Sequence, residues 1–112
     1  MAGDCIFCKI VKKEIPSKIV YEDGLVMAFE DSNPQAPVHI LFVPKVHFDS
    51  ILGPKGTILS HLIEVAAKIA KDKGLAKSGF RIVINHGADG GQAVGHLHLH
   101  LLGGRKLSWP PG

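Results

Sequence analysis

At 112 residues the chain is sized for one domain, spanning residues 1–112, around a small core. Apolar residues make up 46% and charged residues 21%, which excludes a disordered chain, and no apolar run approaches the roughly 18 residues of a membrane span. The net charge of +3 comes from scattered lysines with few aromatics among them, so neither a nucleic acid nor a membrane is expected as a partner. Met1–Lys13 lacks the basic start and apolar centre of a signal peptide, and the expected location is the cytoplasm, or an organelle after processing.

Asp4–Lys13 is expected to be a short helix, with Asp4 as N-cap and Ile6, Phe7, Ile10 and Val11 as its apolar stripe. Pro16 closes that segment. Ile19–Glu22 and Leu25–Glu30 are expected strands, joined at the hairpin signal Asp23-Gly24. Two prolines bracket the polar loop Asp31–Pro37. A third strand, Val38–Val43, stops at Pro44. Pro54 or Thr57 opens the one long helix and Gly74 ends it, with Ile58, Leu62, Val65, Ala66, Ile69 and Ala70 as its buried face. Phe80–Asn85 is a fourth strand, Gly87–Gly95 a glycine-rich loop and Gly95–Leu102 a fifth strand. The order implies an α+β fold: a mainly antiparallel five-stranded sheet covered by helix on one side.

Seven histidines in so short a chain call for an explanation. His96, His98 and His100 alternate with Leu97, Leu99 and Leu101. On a strand that puts three imidazoles on one face and three leucines on the other, with neighbouring histidines about 6.5–7 Å apart. Packing alone explains this poorly, because aligned imidazoles cost desolvation unless each finds a partner. Metal chelation and nucleophilic catalysis remain as alternatives. The preceding loop, Gly87-Ala-Asp-Gly-Gly-Gln-Ala-Val-Gly95, can present several backbone N–H groups, and such a nest suits phosphate oxygens. A neutral imidazole beside it suits attack on phosphorus, splitting one hard displacement into two easier ones.

His96–Leu102, read as His-φ-His-φ-His-φ-φ, resembles the signature of the histidine triad (HIT) superfamily of nucleotide hydrolases and transferases. The resemblance extends over nearly the whole chain. Cys5-Ile-Phe-Cys-Lys-Ile10 is similar to the family's N-terminal segment, and Asp31–His39 to its nucleotide loop. Gly90-Gly-Gln92 and Gly103-Gly-Arg105 through Trp109-Pro-Pro-Gly112 are similar to the branch of histidine triad nucleotide-binding proteins. The resemblance implies a HIT-like fold with one long and one short helix, its sheet extended across a homodimer by the long helix and the fourth strand. It implies that His98 is a nucleophile that becomes transiently nucleotidylated, with His100, His39 and His96 completing the catalytic set. Asp31 and Ser32 would meet the ribose, and Ile6, Phe7, Ile10 and Phe29 would form the purine slot. For Ile6, Phe7 and Ile10, the residues alone read more simply as core. Asn85 and the backbone of Gly91, Gln92 and Ala93 would hold the phosphate. Two positions depart from that branch. Ala93 stands where a serine often helps the leaving group, and Gly95 where a tyrosine is common.

Cys5-x-x-Cys8 is not a disulfide framework, and no strand precedes it as in a thioredoxin-like pair. Two ordinary small hydrophobes, or half of a zinc site, stay open as readings. Some HIT relatives bind zinc through two cysteines, a histidine equivalent to His47 and the first triad histidine. Here that set is Cys5, Cys8, His47 and His96, a closed structural site. No cofactor is expected to be required for catalysis. His61 and His86 are expected to be ordinary surface or packing residues.

The function implied is a purine nucleoside phosphoramidase-like hydrolase, cleaving phosphorus–nitrogen or phosphoanhydride bonds at the α-phosphate of AMP conjugates. A nucleotide-binding adaptor with little catalytic role is the alternative, though pure binding needs no attacking imidazole. A zinc-dependent hydrolase is a third reading, and it would lose activity on chelation.

Overall fold

The computed structural model describes residues 5–54 and 56–112. Its elements are α1 (Ile6–Val11), β1 (Ile19–Glu22), β2 (Val26–Glu30), β3 (Val38–Pro44), α2 (Ile58–Asp72), β4 (Phe80–Val83) and β5 (Leu99–Gly103). The five strands form one antiparallel sheet in the order β1-β2-β3-β5-β4.

The expected N-cap Asp4 lies outside the described residues. Cys5 caps α1 instead, its Sγ accepting the Cys8 N–H at 3.4 Å. At the β1–β2 hairpin, the Asp23 carboxylate accepts the Leu25 and Val26 N–H groups and the Tyr21 hydroxyl. His61 on α2 donates to the same carboxylate at 2.7 Å. Burial would raise this carboxyl, but those donors outweigh it and hold Asp23 below its usual range. His61 thus locks the hairpin onto α2.

Period-two alternation sorts the sheet's side chains onto two faces. Val26, Ala28, Ile40, Phe42, Leu97, Leu99 and Leu101 pack with Leu62, Val65, Ala66, Ile69 and Ala70 of α2. Met27, Phe29, Leu41 and Val43 point the other way, against Cys5, Phe7, Cys8 and Ile10 of the N-terminal segment. Helix therefore covers both faces, not one as expected: α1, though only six residues long, caps the face opposite α2.

The last strand also differs from expectation. It was expected from Gly95, yet pairing begins at Leu99 opposite Phe42. Continued, the ladder would meet Pro44, which has no N–H to give and whose carbonyl is taken by His96 Nε2 at 3.0 Å. Leu97 instead donates its N–H to the Phe48 carbonyl at 2.7 Å. β4 likewise stops at Val83, short of Asn85, as the chain turns into the glycine loop.

Leu99 is fully buried between the sheet and α2. Leu99→Ala should therefore destabilise the fold by about 2–5 kcal/mol, read as a lower urea midpoint with an unchanged slope.

Candidate functional site

The face capped by α1 carries the histidines. His39 on β3 pairs with Leu102, and His100 on β5 with Leu41, so the two histidines are diagonal neighbours on one face. His39 Nε2 lies 2.9 Å from His100 Nδ1. His98 stands beside His100 with ring centroids 4.9 Å apart. His96 turns away to meet His47, at 4.8 Å between rings. The triad is thus divided: His100 meets His39 with His98 beside it, and His96 joins the cysteines.

Hydrogen bonds assign the protons. The Gln35 N–H donates to His39 Nδ1 at 3.0 Å, so His39 carries its proton on Nε2 and donates it to His100 Nδ1. His100 then carries its own on Nε2, which is buried and without a partner. His98 Nδ1 lies 2.7 Å from the His96 carbonyl and donates to it, leaving the Nε2 lone pair free. Burial, with the His98 and His39 rings beside it, pushes His100 down to about 4. Burial also lowers His39, against the pull of Asp31, whose Oδ2 is 3.4 Å from His39 Nε2. The result is a hydrogen-bonded pair, His39 and His100, that ends in one free N–H, with the His98 ring beside it.

Ile6, Phe7, Ile10, Phe29, Asp31 and Ser32 are brought together as expected. They line one cleft of about 610 Å³, with Ile15, Leu41 and Val94 among its further walls. The sequence did not single out those three. Leu41 and Val94 carry only a strand's and a loop's ordinary apolar signal, while Ile15 sits just past α1. Phe7, a wall of the cleft, stands edge-on to His98 with ring centroids 5.1 Å apart. Asp31 uses Oδ1 to accept the Asn33 N–H at 2.8 Å, which fixes the carboxylate at the cleft's rim.

The glycine loop is more committed than expected. The Gly91 N–H donates to the Ala88 carbonyl and the Gln92 N–H to the Gly87 carbonyl. The Gln92 side chain accepts the Gly87 N–H and donates to the Asp49 and Val94 carbonyls. Of the three backbone donors expected for phosphate, only the Ala93 N–H has no acceptor among the described residues. A Cβ at Gly90 would fall 2.2 Å from the His86 carbonyl oxygen, so this turn admits only glycine there. Asn85 lies just past β4, and no hydrogen bond among the described residues ties it to the histidines.

Cys5, Cys8, His47 and His96 converge, their four donor atoms all within 4.8 Å of one another. Cys5 Sγ is 3.3 Å from His96 Nδ1, and Cys8 Sγ is 3.3 Å from His47 Nδ1. His96 gives its Nε2–H to the Pro44 carbonyl, and His47 gives its own to the Asp49 carboxylate at 2.8 Å. Both Nδ1 atoms therefore carry lone pairs, and they face each other at 3.1 Å. A cation among the four donors relieves that contact; without one, the thiol protons of Cys5 and Cys8, each 3.3 Å from one Nδ1, are left to meet the two lone pairs. Zinc–nitrogen and zinc–sulfur bonds of about 2.0–2.3 Å in a tetrahedron give ligand separations of about 3.3–3.8 Å, close to those seen. The Asp49 carboxylate and the Pro44 carbonyl supply the outer hydrogen bonds that orient zinc-binding imidazoles. The donor set fits the metal. Burial and the adjacent Cys5 raise the Cys8 thiol, so without a cation it stays protonated.

Residues 12–107 match the HIT domain family. The chain belongs to it. A 14 kDa zinc-binding protein of Zea mays is 54% identical over 113 residues, spanning 96% of this chain and 87% of its own. Adenylylsulfatase HINT1 of Arabidopsis thaliana is 52% identical, spanning 96% and 76%. Among solved structures, a HIT family hydrolase from Legionella pneumophila superposes with a TM-score of 0.95 at 46% identity, spanning 97% of this chain and all of that one.

The lowered His100 makes stability depend on pH with a definite sign. Its folded value, about 4, lies below the ordinary 6.5, so between these the unfolded chain binds the extra proton. The contribution is fully present above about 6.5 and is lost as the pH falls toward 4. Urea midpoints should drop from about pH 7 to pH 5, and His100→Asn should show a shallower drop than the parent.

Proposed function

We propose that the protein is a nucleotidyl hydrolase that binds a purine mononucleotide conjugate and attacks its α-phosphorus with His98. The observation that carries this reading is the assignment of protons. The His96 carbonyl holds the Nδ1–H of His98 and so leaves its Nε2 lone pair free, and the ring packs against Phe7, itself a wall of an apolar cleft with room for a base.

In this reading the base lies between Phe7, Phe29 and the isoleucines, and the ribose hydroxyls donate to the Asp31 carboxylate. His98 Nε2 bonds to phosphorus as the bond to the leaving atom breaks, and a leaving amine takes its proton from solvent. The ring then carries a positive charge, which the His96 carbonyl meets at Nδ1. The free Nε2–H of His100 and the N–H of Ala93 stabilise charge gathering on the phosphate oxygens. Water then replaces the imidazole on phosphorus, its proton going to solvent, and His98 leaves as the neutral ring that began the cycle. The adenylyl group is common to AMP phosphoramidates and to the substrate that the Arabidopsis relative's name records. Recognition by cleft and ribose therefore favours no one leaving group. Ala93 supplies no hydroxyl near the scissile bond.

Cys5, Cys8, His47 and His96 would hold a structural zinc ion, a reading that the Zea mays relative's name supports. Bound there, the ion would neutralise the thiolates and cross-link α1 to the stretch before β5; it is not needed for the displacement itself.

A homodimer is part of the proposal. β4 is an outer strand with one unpaired ladder edge, and Phe80 on it and Ile63 on α2 are 40% and 46% exposed. A symmetry mate would cover both and remove an edge that otherwise invites aggregation. The exposed tail with Trp109 would then reach toward the partner's site.

Removing the nucleophile tests the chemistry. His98→Ala should abolish turnover of a fluorogenic adenosine phosphoramidate by several orders of magnitude while AMP still binds, measured by calorimetry. Turnover near the parent's rate would overturn the mechanism. Sedimentation at micromolar concentration should give about twice the monomer's 12.0 kDa, and a fully active monomer would refute the dimer.

A further inference from the structure

We propose that Phe7 and His96 join the four-donor cluster and the nucleotide cleft into one linked unit. Zinc at the cluster then tightens mononucleotide binding, and a mononucleotide tightens zinc binding by the same factor. The inference rests on the proposed nucleotide reading of the cleft and adds a regulatory input to it.

Three connections carry it. The first is α1. Six residues make too short a helix to persist by itself, so neighbours must hold it in place. Cys5 and Cys8 place it on the cluster, and Ile6, Phe7 and Ile10, interleaved with them in sequence, form the cleft wall. Nothing that displaces the cysteines can leave that wall unmoved.

The second is His96, which serves both sites with different atoms. Its Nδ1 faces the cluster, its Nε2–H is bound to the Pro44 carbonyl, and its own carbonyl receives the His98 Nδ1–H. Without a cation, only the thiol protons of Cys5 and Cys8 meet the two Nδ1 atoms, 3.1 Å apart, and the ring loses the bond that would fix it. Ring and carbonyl belong to one buried residue, so a shift of its backbone that follows the ring moves the oxygen that fixes the nucleophile's tautomer. Phe7 reinforces this by packing edge-on against both His96 and His98, with ring centroids 6.0 and 5.1 Å apart.

The third runs through Asp49. Its carboxylate holds His47 of the cluster, and its backbone carbonyl accepts from the Gln92 side chain that shapes the glycine loop. The base wall, the nucleophile and the phosphate loop each have one tie to the same four donors. Phe7 and His96 are positioning residues in this linkage.

The test measures binding in both directions. Protein carrying one zinc per chain by elemental analysis, and protein stripped by a chelator and shown folded by circular dichroism, are each titrated with AMP by calorimetry. In the reverse arm, zinc affinity of the loaded protein is measured against a chromophoric chelator with and without saturating AMP. Both arms should shift about five-fold or more, because coupling between two sites is reciprocal. The reverse arm starts from loaded protein and stands if the stripped form fails to fold. Asp49→Ala removes only the outer carboxylate on His47 and should weaken zinc by about 10–100-fold. AMP affinity of this variant should fall at limiting zinc and return at saturating zinc. Affinities within about two-fold across metal states in either arm would overturn the linkage while leaving the nucleotide reading intact. Failure of the zinc-loaded parent to bind AMP at all would remove both.

Discussion

The structure depends on the pleat of residues 96–101. Leu97, Leu99 and Leu101 are sealed against α2 and the sheet, and a slip of one residue would expose all three. Because the leucines cannot move, the histidines between them cannot either. Their backbone direction is set by apolar packing, and hydrogen bonds need only choose the ring orientation. A site built this way gets its precision from the core behind it. The same alternation places His39 on β3 within reach of His100, since both strands must satisfy the same core.

From this follows an electrostatic division of labour. Burial keeps the rings of His39, His96 and His100 neutral, which is the form in which imidazoles can pass hydrogen bonds head to tail. The chain of donors begins at a backbone amide of the proline-bracketed loop, at Gln35, and ends at His100 Nε2. That buried N–H without an acceptor is a local cost in the protein alone. In the proposed reaction an oxyanion offsets it. The loop 31–37 thus supplies both the Asp31 carboxylate and the amide that sets the tautomers.

Much of this was legible in the sequence because it is periodic or punctuated. The Asp23-Gly24 hairpin and the apolar stripe of α2 each have a local physical signature and are found where expected; the Leu/His alternation keeps Leu97, Leu99 and Leu101 in the core, although pairing begins only at Leu99 and His96 joins the cysteines. The residues of the apolar cleft came from family likeness, since Ile6, Phe7 and Ile10 look like any helix stripe. What the sequence hid was non-local. Nothing in residues 95–98 shows that Pro44, across the sheet, ends the pairing. Nothing in the glycine loop shows that Gly91 and Gln92 spend their N–H groups inside the loop. The role of Asp49 is of the same kind: an exposed aspartate two residues from a histidine becomes informative only once His47 is seen facing His96. Helical cover on the second face was hidden for another reason: α1 is held by tertiary contacts rather than by propensity, and so leaves little trace of its own.

The clasp made by the Gln92 side chain has a consequence for the cost of catching a ligand. A stretch with glycine at positions 87, 90, 91 and 95 would, if free, sample many backbone states, and ordering it costs roughly 1–2 kcal/mol per residue. Here three side-chain hydrogen bonds, from Gly87 and to Asp49 and Val94, fix the loop before anything binds. The entropy loss is thereby assigned to folding, where the whole core shares it, and is absent from the encounter. A Gln92→Glu change would keep the acceptor for Gly87 but turn a negative oxygen toward two carbonyls that now receive an N–H. The loop would have the same length and the same glycines, yet in the proposed reading each phosphate would have to organise it afresh.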